Sequence, residues 1–402
     1  MRIAILTSGI LPVPAVQGGA VENLIDFYLE YNHQHKLHDI TVYSVADKAV
    51  RNHPALQSDV NHYVFIDMDS WWAKLRKKWY EKRHGKEYYH YSIEYFFQEA
   101  FRHVSEEYYD ILLIENRPGY ALKISRDLGS KVVIHLHNDF MNADTPSIKD
   151  IYKRTDKIIC ISEYIRGRVQ TIYDTDRKCA TVMNGINLKA FTLEDLPHYK
   201  LKNRPHYKLK DDDFVLVFSG RVIPAKGIRS LILAMNELKD YPNIKLMIIG
   251  GSFYGNEARK TPFIEELIKL SWDVRQQIIF TGFKPYQEIP SLLSLADIAV
   301  LPSVWEEPLG LTCIEAMATG LPVITTNQGG IPETVTADSA VMLDVDETLP
   351  QRIATAILDL YEHPEKRKTM SEAAKKRSQL FSKERYAKNF FKALEGCLIS
   401  DL

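Results

Sequence analysis

The sequence has few cysteines, no long apolar run and almost no net charge. Its four cysteines are scattered over 402 residues without a Cys-x-x-Cys pair, which excludes a zinc ribbon or disulfide scaffold and is typical of a reducing compartment. No apolar run approaches the roughly 18 residues that span a bilayer, and the first strand begins without a charged leader. A net charge of −1 argues against a nucleic-acid-binding protein. We therefore expect a cytoplasmic protein.

Short apolar runs alternate with amphipathic segments through both halves of the chain. Runs such as Ile111–Glu115 and Phe214–Ser219 are apolar almost throughout, which predicts strands of parallel sheets covered by helices on both faces. A chain of 402 residues also exceeds one ordinary core. The pattern therefore predicts an α/β fold with two doubly wound, Rossmann-like domains.

The domain boundaries are predicted from composition. The first domain is expected to span residues 1–190 and the second residues 214–381. Between them, 191–213 is polar, contains two prolines and duplicates the hexapeptide Pro-His-Tyr-Lys-Leu-Lys, which indicates a linker or surface loop. A last helical segment, about 382–402, is expected to pack back on the first domain.

Two glutamates and a helix start form the most informative stretch. Glu307 and Glu315 are separated by seven residues, and Gly310 between them marks the start of a helix that Gly320-Leu321-Pro322 ends. The start of a helix offers backbone N–H groups to an anion, while carboxylates accept hydrogen bonds from sugar hydroxyls. The stretch therefore predicts a site for a ligand that is part sugar and part phosphate.

Two cations follow the first strand of the second predicted domain. Arg221 and Lys226 lie after Phe214–Ser219, at the edge where open parallel sheets bind ligands. Arginine can grip phosphate oxygens bidentately and lysine adds a point charge. Together they could neutralise a leaving diphosphate.

In their order along the chain, these motifs resemble those of the family-4 glycosyltransferases. The ordered set consists of Gly18-Gly19, His137, Asn184-Gly185-Ile186-Asn187, Gly220-Arg221 through Lys226-Gly227, the Glu307/Glu315 pair, and Gly329-Gly330-Ile331-Pro332-Glu333. The resemblance implies the GT-B fold, in which two Rossmann-like domains face each other across a cleft. It also implies a retaining transferase that moves a sugar from a nucleotide-diphosphate sugar to an acceptor hydroxyl.

The resemblance assigns roles to individual residues. It implies that Glu315 binds ribose hydroxyls, that Glu307 lies near the donor sugar, and that the backbone amides of Gly310, Leu311 and Thr312 approach sugar and phosphate. It places His137 against the donor sugar, whereas the neighbouring His135 is expected to point to the opposite face of the strand. The loop with Gly18 and Gly19 and the segment with Gly282 and Phe283 are further expected donor contacts.

The sequence leaves the acceptor and the pathway open. Glu115, Asn116 and Arg117 follow a first-domain strand and are candidate acceptor contacts. Residues 71–95 mix basic and aromatic side chains, which suits an anionic membrane surface, a saccharide acceptor or an ordinary solvated helix pair. Bacterial surface polysaccharide or glycolipid synthesis, with a saccharide or lipid-linked acceptor, is the expected context. The protein would then be cytoplasmic and could be peripheral on the membrane.

No metal or other cofactor is expected. Asp67-Met68-Asp69 matches an Asp-x-Asp pattern but lies far along the chain from the donor motifs. Two alternatives remain: a GT-B nucleotide-sugar epimerase, and an inactive protein that binds nucleotide sugars. The missing Gly-x-Gly-x-x-Gly fingerprint disfavours a dehydrogenase.

Overall fold

The computed structural model describes residues 1–76, 91–173, 177–192, 196–251 and 261–399. The chain divides into two compact units. The first unit comprises Met1–Gly185 together with Lys383–Leu402, and the second unit comprises Ile186–Ser382. Each is built on its own parallel sheet, so the prediction of two Rossmann-like α/β domains is confirmed.

The first unit has a seven-stranded sheet in the order β3-β2-β1-β4-β5-β6-β7. The strands are β1 (Arg2–Leu6), β2 (Asp39–Val45), β3 (Asn61–Ile66), β4 (Ile111–Glu115), β5 (Lys131–Leu136), β6 (Lys157–Cys160) and β7 (Cys179–Thr181). The apolar runs predict all of them except β7, which has three residues, each only partly buried.

The second unit has a six-stranded sheet in the order β10-β9-β8-β11-β12-β13. The strands are β8 (Phe214–Ser219), β9 (Ile244–Ile249), β10 (Ile278–Gly282), β11 (Ile298–Leu301), β12 (Val323–Thr326) and β13 (Ala340–Leu343). In both sheets the strand order reverses beside the first strand, at β1–β4 and β8–β11. Doubly wound sheets bind ligands at the carboxyl ends of the strands around such a reversal.

Helices cover both sheets. In chain order they are α1 (Ala20–His35), α2 (Tyr91–Val104), α3 (Ile148–Arg154), α4 (Glu163–Gln170), α5 (Leu196–Asn203), α6 (Ile228–Glu237), α7 (Pro262–Leu270), α8 (Ile289–Leu293), α9 (Leu311–Ala318), α10 (Leu349–Glu362), α11 (Pro364–Ser378) and α12 (Lys383–Ile399). Helices α5 to α11 belong to the second unit and the others to the first.

Helix α12 packs on the first unit because its aromatic side chains complete the core of that unit. Tyr28 of α1 stacks on Phe390 with 4.2 Å between ring centroids and meets Phe391 edge-on at 6.1 Å. Both phenylalanines are buried in one cluster with Ile3 and Val133 of the sheet. Stacked and edge-on aromatic pairs contribute beyond their buried area.

Residues 191–213, predicted as a linker or surface loop, are largely a packed part of the second unit. Helix α5 falls within this range, and Lys200 pairs with Asp297 at 2.9 Å. Arg204 is 5% exposed and donates to Asp297 and to the carbonyl of Leu295. Part of the polar composition therefore serves partly buried ion pairs, which composition alone does not reveal. The unit boundary falls at Gly185.

The basic aromatic segment at 71–95 is described only at its two ends. Residues 71–76 are helical, residues 77–90 lie outside the described part, and α2 begins at Tyr91. Trp71 and Trp72 are 65% and 63% exposed. Within the described residues, no helix has both the length and the apolar content to cross a membrane.

Candidate functional site

The loop after β8 lies against the loop after β11. Gly227 has a φ of 69°, and a Cβ there would lie 1.7 Å from the carbonyl oxygen of Pro302, so only glycine fits. The N–H of Val304 donates to the carbonyl of Ala225 at 3.0 Å. This contact places the turn Pro224–Lys226 beside the segment that carries Glu307.

Lys226 and Glu307, both predicted from the sequence, form an ion pair at the carboxyl edge of the second sheet. Lys226 Nζ lies 2.5 Å from Glu307 Oε1, and the Ser303 hydroxyl lies 2.7 Å from the same oxygen. Glu307 is only 8% exposed, so the lysine offsets the cost of burying its charge. Arg221 is exposed and follows β8 by two residues.

The backbone of Glu307 is fixed by the glycine pair that follows β12. The N–H of Gly330 donates to the carbonyl of Glu307 at 2.7 Å. A Cβ on Gly329 would lie 2.2 Å from that carbonyl oxygen, and one on Gly330 would lie 2.5 Å from the carbonyl of Pro308. The Gly-Gly motif is therefore required for close packing against the Glu307 loop.

Helix α9 begins directly after Gly310, as the sequence predicts. Gly310 adopts a φ of 92°, which turns the chain so that the N–H groups of Leu311 and Thr312 form the start of the helix. Glu315 lies one turn further on and is 8% exposed. Burial raises the pKa of its carboxyl to about 7, and a hydrogen bond from the Tyr286 hydroxyl opposes that rise.

The buried thiol of Cys313 lies between the two glutamates. Burial raises its pKa to about 12, and Lys226, Glu307 and Glu315 all contribute smaller electrostatic effects. Lys226, Glu307 and Glu315 therefore all lie near this thiol, and Lys226 and Glu307 are in direct contact. The structure thus brings together three of the predicted site residues.

The segment after β10 contributes Tyr286 to this site. Gly282 is exposed with a φ of 72°, open space lies where a Cβ would stand, and Phe283 is half-buried. Tyr286 opens the turn Tyr286–Glu288, and its hydroxyl reaches Glu315. The sequence analysis missed Tyr286 and Ser303, although both lie within four residues of predicted positions.

In the first unit, the glycine pair after β1 lies above a buried carboxyl. Gly19, with a φ of 104°, precedes α1, and a Cβ there would lie 2.2 Å from Glu22 Oε2. Glu22 is 5% exposed, and burial raises its pKa to about 7. Gly18 has a φ of 76°, and nothing lies within 4 Å of the place where a Cβ would stand.

A buried carboxylate in the first unit binds two histidines and a tyrosine. Glu115 is 0% exposed at the end of β4 and accepts from Tyr28 at 2.9 Å. His137 Nε2 lies 2.8 Å from Glu115 Oε2, and His135 Nδ1 lies 3.1 Å from the same oxygen. Burial opposes ionisation of Glu115, but the two imidazoles hold its pKa well below the usual range.

The prediction that His135 points away from His137 was wrong. Their ring centroids are 4.1 Å apart, and both rings contact Glu115. The reason is the strand period of two, which places residues 135 and 137 on the same side of the chain. Burial, together with the charge of His135, lowers the pKa of His137 to about 4.

The three candidate acceptor residues are engaged inside the first unit. The side chain of Asn116, at a φ of 56°, accepts from the N–H of His137 at 3.1 Å. Arg117 Nε donates to the carbonyl of Ser8 at 3.2 Å. Glu115 is fully buried, so its side chain positions His137 rather than facing solvent. An acceptor role for Asn116 and Arg117 stays a prediction.

Within the described residues, one set of side chains has the spacing of a metal site. The ligand atoms of Glu115, His135 and His137 lie within 4.8 Å of one another. However, His135 Nε2 and His137 Nδ1 have no hydrogen-bond partner. Metal-bound histidines almost always donate their other N–H to an acceptor. The set therefore fits a hydrogen-bonded cluster, with both N–H groups directed at Glu115, better than a metal ion.

Known structures share this fold. Anabaena Alr3699/HepE, solved in complex with UDP and glucose, superposes with a TM-score of 0.73 at 18% identity over 98% of this chain and 99% of that chain. Sucrose-phosphate synthase from Thermosynechococcus elongatus gives a TM-score of 0.75 at 20% identity over 100% of both chains. With the two parallel sheets, this likeness defines a protein of the GT-B class.

Family models identify the chain more closely. A model of glycosyltransferase family 4 matches residues 32–190, and a model of group 1 glycosyl transferases matches residues 200–377. The chain therefore belongs to the family-4 glycosyltransferases, as its motifs predict. A putative glycosyltransferase of Bacillus subtilis, YtcC, is 27% identical over 94% of this chain and 87% of its own length. Spore coat protein SA of the same species is 26% identical over 98% and 99%.

Proposed function

We propose that this glycosyltransferase is a retaining enzyme that transfers a hexose from a nucleotide-diphosphate sugar to an acceptor hydroxyl. The observation that carries the proposal is the cluster of Lys226, Glu307 and Glu315 around the start of α9. It combines a cation for phosphate, a carboxylate for sugar hydroxyls and a second carboxylate for ribose. HepE, which has the same fold, is solved with UDP and glucose.

In this proposal the residues of the second unit hold the donor. Lys226 keeps donor capacity beyond its bond to Glu307, since an ammonium group has three N–H donors. With Arg221, it would stabilise the negative charge that develops on the leaving diphosphate. Glu307 would orient the sugar hydroxyls. Gly310, which has no side chain, would let the backbone amides at the start of α9 approach the sugar and phosphate of the donor closely.

We further propose that the anomeric configuration is retained without an enzymic nucleophile. In retaining glycosidases a carboxylate attacks the sugar. Glu307 is bound to Lys226 and Ser303, an arrangement that suits binding rather than attack. The departing phosphate would instead take the proton of the acceptor hydroxyl on the same face, with positioning and electrostatics lowering the barrier. Because cations are present, we expect transfer without a metal ion.

For the acceptor, we propose a saccharide or lipid-linked molecule at an anionic membrane face. Trp71 and Trp72 are exposed, and Lys74 and Arg76 lie beside them. Exposed tryptophans with basic neighbours suit the headgroup region of an anionic leaflet. A relative from Corynebacterium glutamicum, 27% identical over 61% of this chain, is named a phosphatidylinositol monomannoside mannosyltransferase. The enzyme would then act on the cytoplasmic face of the membrane.

A ligand panel followed by a transfer assay tests the proposed function. Melting temperatures are measured with nucleotide diphosphates and nucleotide sugars in the presence of EDTA. One diphosphate class is expected to raise the melting temperature, since a ligand at 100 times its Kd adds about 2.7 kcal/mol of stability. Equal shifts for all ligands, or none, would contradict the site.

The matched variants are Glu307→Gln and Glu306→Gln. Glu306 is the exposed neighbour of the buried Glu307. We expect Glu307→Gln to lower kcat by about 100-fold or more and Glu306→Gln to leave it within a few-fold. Conversion of the donor sugar without acceptor would identify an epimerase instead, and binding without turnover an inactive protein.

A further inference from the structure

An arginine of the first unit lies at the carboxyl edge of the sheet without an acidic partner. Arg117 follows β4 by two residues and is half-buried. Its Nε donates to the carbonyl of Ser8, which follows β1 by two residues, at 3.2 Å. Among the described residues, nothing else forms a hydrogen bond or an ion pair with this side chain. A guanidinium has five N–H donors, so the four on Nη1 and Nη2 remain for a ligand.

The side chain of Arg117 joins the two strands at which the strand order of the first sheet reverses. β1 pairs with β4, while β2 and β5 lie on opposite sides of that pair. Open parallel sheets bind ligands at the carboxyl ends of the strands around such a reversal. The loop that ends at Gly18 and Gly19 starts here, and His137 follows the next strand, β5. Arg117 therefore lies where a ligand of the first unit is expected.

The backbone on both sides of Arg117 is fixed. Asn116 adopts a φ of 56°, its N–H donates to the carbonyl of His135 at 2.9 Å, and its side chain accepts from the N–H of His137 at 3.1 Å. On the other side, the carbonyl of Arg117 accepts from the N–H of Tyr120 at 3.0 Å. Because both the backbone and Nε are held, the guanidinium loses little further freedom when a ligand binds. Preorganisation of this kind increases affinity.

The chemistry of such an arginine selects an anion. A guanidinium is always charged, and arginines that are taken out of water are normally paired with an opposite charge. The two Nη groups lie in one plane and bind two oxygens of a phosphate through parallel hydrogen bonds. A neutral hydroxyl can accept one of these bonds but leaves the charge without a partner. The unpaired edge of Arg117 therefore favours a phosphate over a neutral sugar.

We propose that Arg117 binds a phosphate group of the acceptor, so that the acceptor is a phosphate-bearing molecule rather than a neutral saccharide. The inference rests on the proposed function, in which Lys226 and Arg221 of the second unit hold the diphosphate of the donor. Free sugar phosphates and glycolipids whose sugar is joined to the lipid through phosphate share the required chemistry. The acceptor then carries its own negative charge, independent of the donor.

Titration with inorganic phosphate tests the site without any acceptor. The protein is first saturated with the nucleotide diphosphate selected by the ligand panel, so that the cations of the donor site are occupied. Nitrogen NMR of the arginine side chains follows the Nε–H of Arg117, whose signal is assigned from its absence in Arg117→Gln. We expect phosphate to shift this signal and Arg117→Gln to lower the phosphate affinity, measured by calorimetry, by about tenfold or more. An unchanged affinity in Arg117→Gln would overturn the inference.

Arg168→Gln is the matched control. Arg168 also belongs to the first unit and its Nε also makes one hydrogen bond, but the acceptor is the carboxylate of Asp139 at 2.7 Å. Since its charge is already paired, its replacement should leave the phosphate affinity within about twofold. Arg117→Lys keeps the charge but loses the planar pair of donors, so we expect it to recover only part of the affinity.

Matched acceptors measure the effect on transfer. One pair is a hexose and its 6-phosphate in solution, and the other is a neutral glycosyl diacylglycerol and phosphatidylinositol in vesicles. We expect the phosphate-bearing member to have a KM about tenfold lower, and Arg117→Gln to abolish this difference while kcat stays within a few-fold. A preference in the first pair identifies sugar phosphates as the source, and one in the second pair identifies lipids. A preference that persists in Arg117→Gln contradicts the role of Arg117.

The results separate this inference from the proposed function. If Arg117→Gln weakens the nucleotide diphosphate, and phosphate does not bind in its presence, the arginine serves the donor and the acceptor role is overturned. Transfer to neutral acceptors with the same KM in both proteins overturns the inference and leaves the transferase proposal intact. If no nucleotide sugar binds, the proposed function fails, whereas phosphate titration of the free protein still decides whether Arg117 is an anion site.

Discussion

Two buried carboxyls of the first unit have pKa values that are shifted in opposite directions. Glu115 stays ionised because His135, His137 and Tyr28 all direct donors or positive charge at it. Glu22 has one side-chain donor, Ser8 at 3.3 Å, and burial raises its pKa to about 7. The same residue type at similar depth therefore stabilises the fold in one place and destabilises it in the other.

Replacement of each carboxyl by an amide should change stability in opposite directions. Glu115, with its lowered pKa, contributes stability above pH 4.5 that is lost on acidification through the folded-state pKa. Glu115→Gln should thus cost about 3 kcal/mol at pH 7. Glu22, with its raised pKa, loses stability as pH rises from 4.5 to about 7. Glu22→Gln should therefore stabilise the protein by about 2–3 kcal/mol at pH 8 and by nothing at pH 4.

Urea denaturation across pH 4–8 measures both effects, and nitrogen NMR of the histidines adds a local readout. In the unmodified protein His137 should be neutral with its proton on Nε2, the nitrogen that faces Glu115. A mixture of tautomers that is unchanged in Glu115→Gln would contradict this role of the carboxylate.

At the scale of elements, the loop that carries Glu307 packs closely against Gly330, which has no side chain. Gly330 has an ordinary φ of −84°, so alanine there meets a purely steric obstacle, the Pro308 carbonyl oxygen at 2.5 Å. Gly167 lies in α4 with nothing within 4 Å of a Cβ. The two glycines are a matched pair, one crowded and one open.

Gly330→Ala should destabilise the second unit by about 1–3 kcal/mol and reduce kcat further, because the loop that carries Glu307 must move. Gly167→Ala should stabilise the protein by about 0.5–1 kcal/mol, since alanine is the better helix former. Denaturant midpoints and transfer rates measure the pair. Equal effects of the two changes on stability and transfer rate would show that the close packing at Gly330 does not contribute to either.

The sequence predicts elements that carry a local signal and misses contacts made over long distances along the chain. The strands of both sheets except β7 follow from apolar runs, and the start of α9 follows from Gly310. The hydrogen bonds of Tyr286 to Glu315 and of Tyr28 to Glu115 join residues that are far apart in the sequence. No sequence spacing predicts such contacts. The buried role of Arg204 cannot be predicted either, because a polar segment on a surface and one that pairs with a partly buried aspartate have the same composition.

At the scale of the whole molecule, α12 belongs to the unit that begins the chain. Phe390 is fully buried against Tyr28 in the first unit, while Phe381, nine residues earlier, is buried in the second. A short stretch around Ser382 thus separates two buried aromatic side chains that belong to different units.

Phe390→Ala should weaken the first unit selectively. Loss of a buried phenylalanine costs about 3–5 kcal/mol, so hydrogen exchange should accelerate in β1, β4 and β5 and stay unchanged in β8 and β11. Phe381→Ala should give the reverse pattern. Equal acceleration in both sheets after either change would mean that the two cores unfold as one.

The route of the chain through α12 has a consequence for biosynthesis. A ribosome translates the whole of the second unit before it reaches Lys383, the first residue of the helix that covers Tyr28. Until then, the nascent first unit carries an uncovered aromatic surface while it is still tethered. Such surfaces are what chaperones bind on growing chains, so maturation of the first unit is completed only after the second has been made.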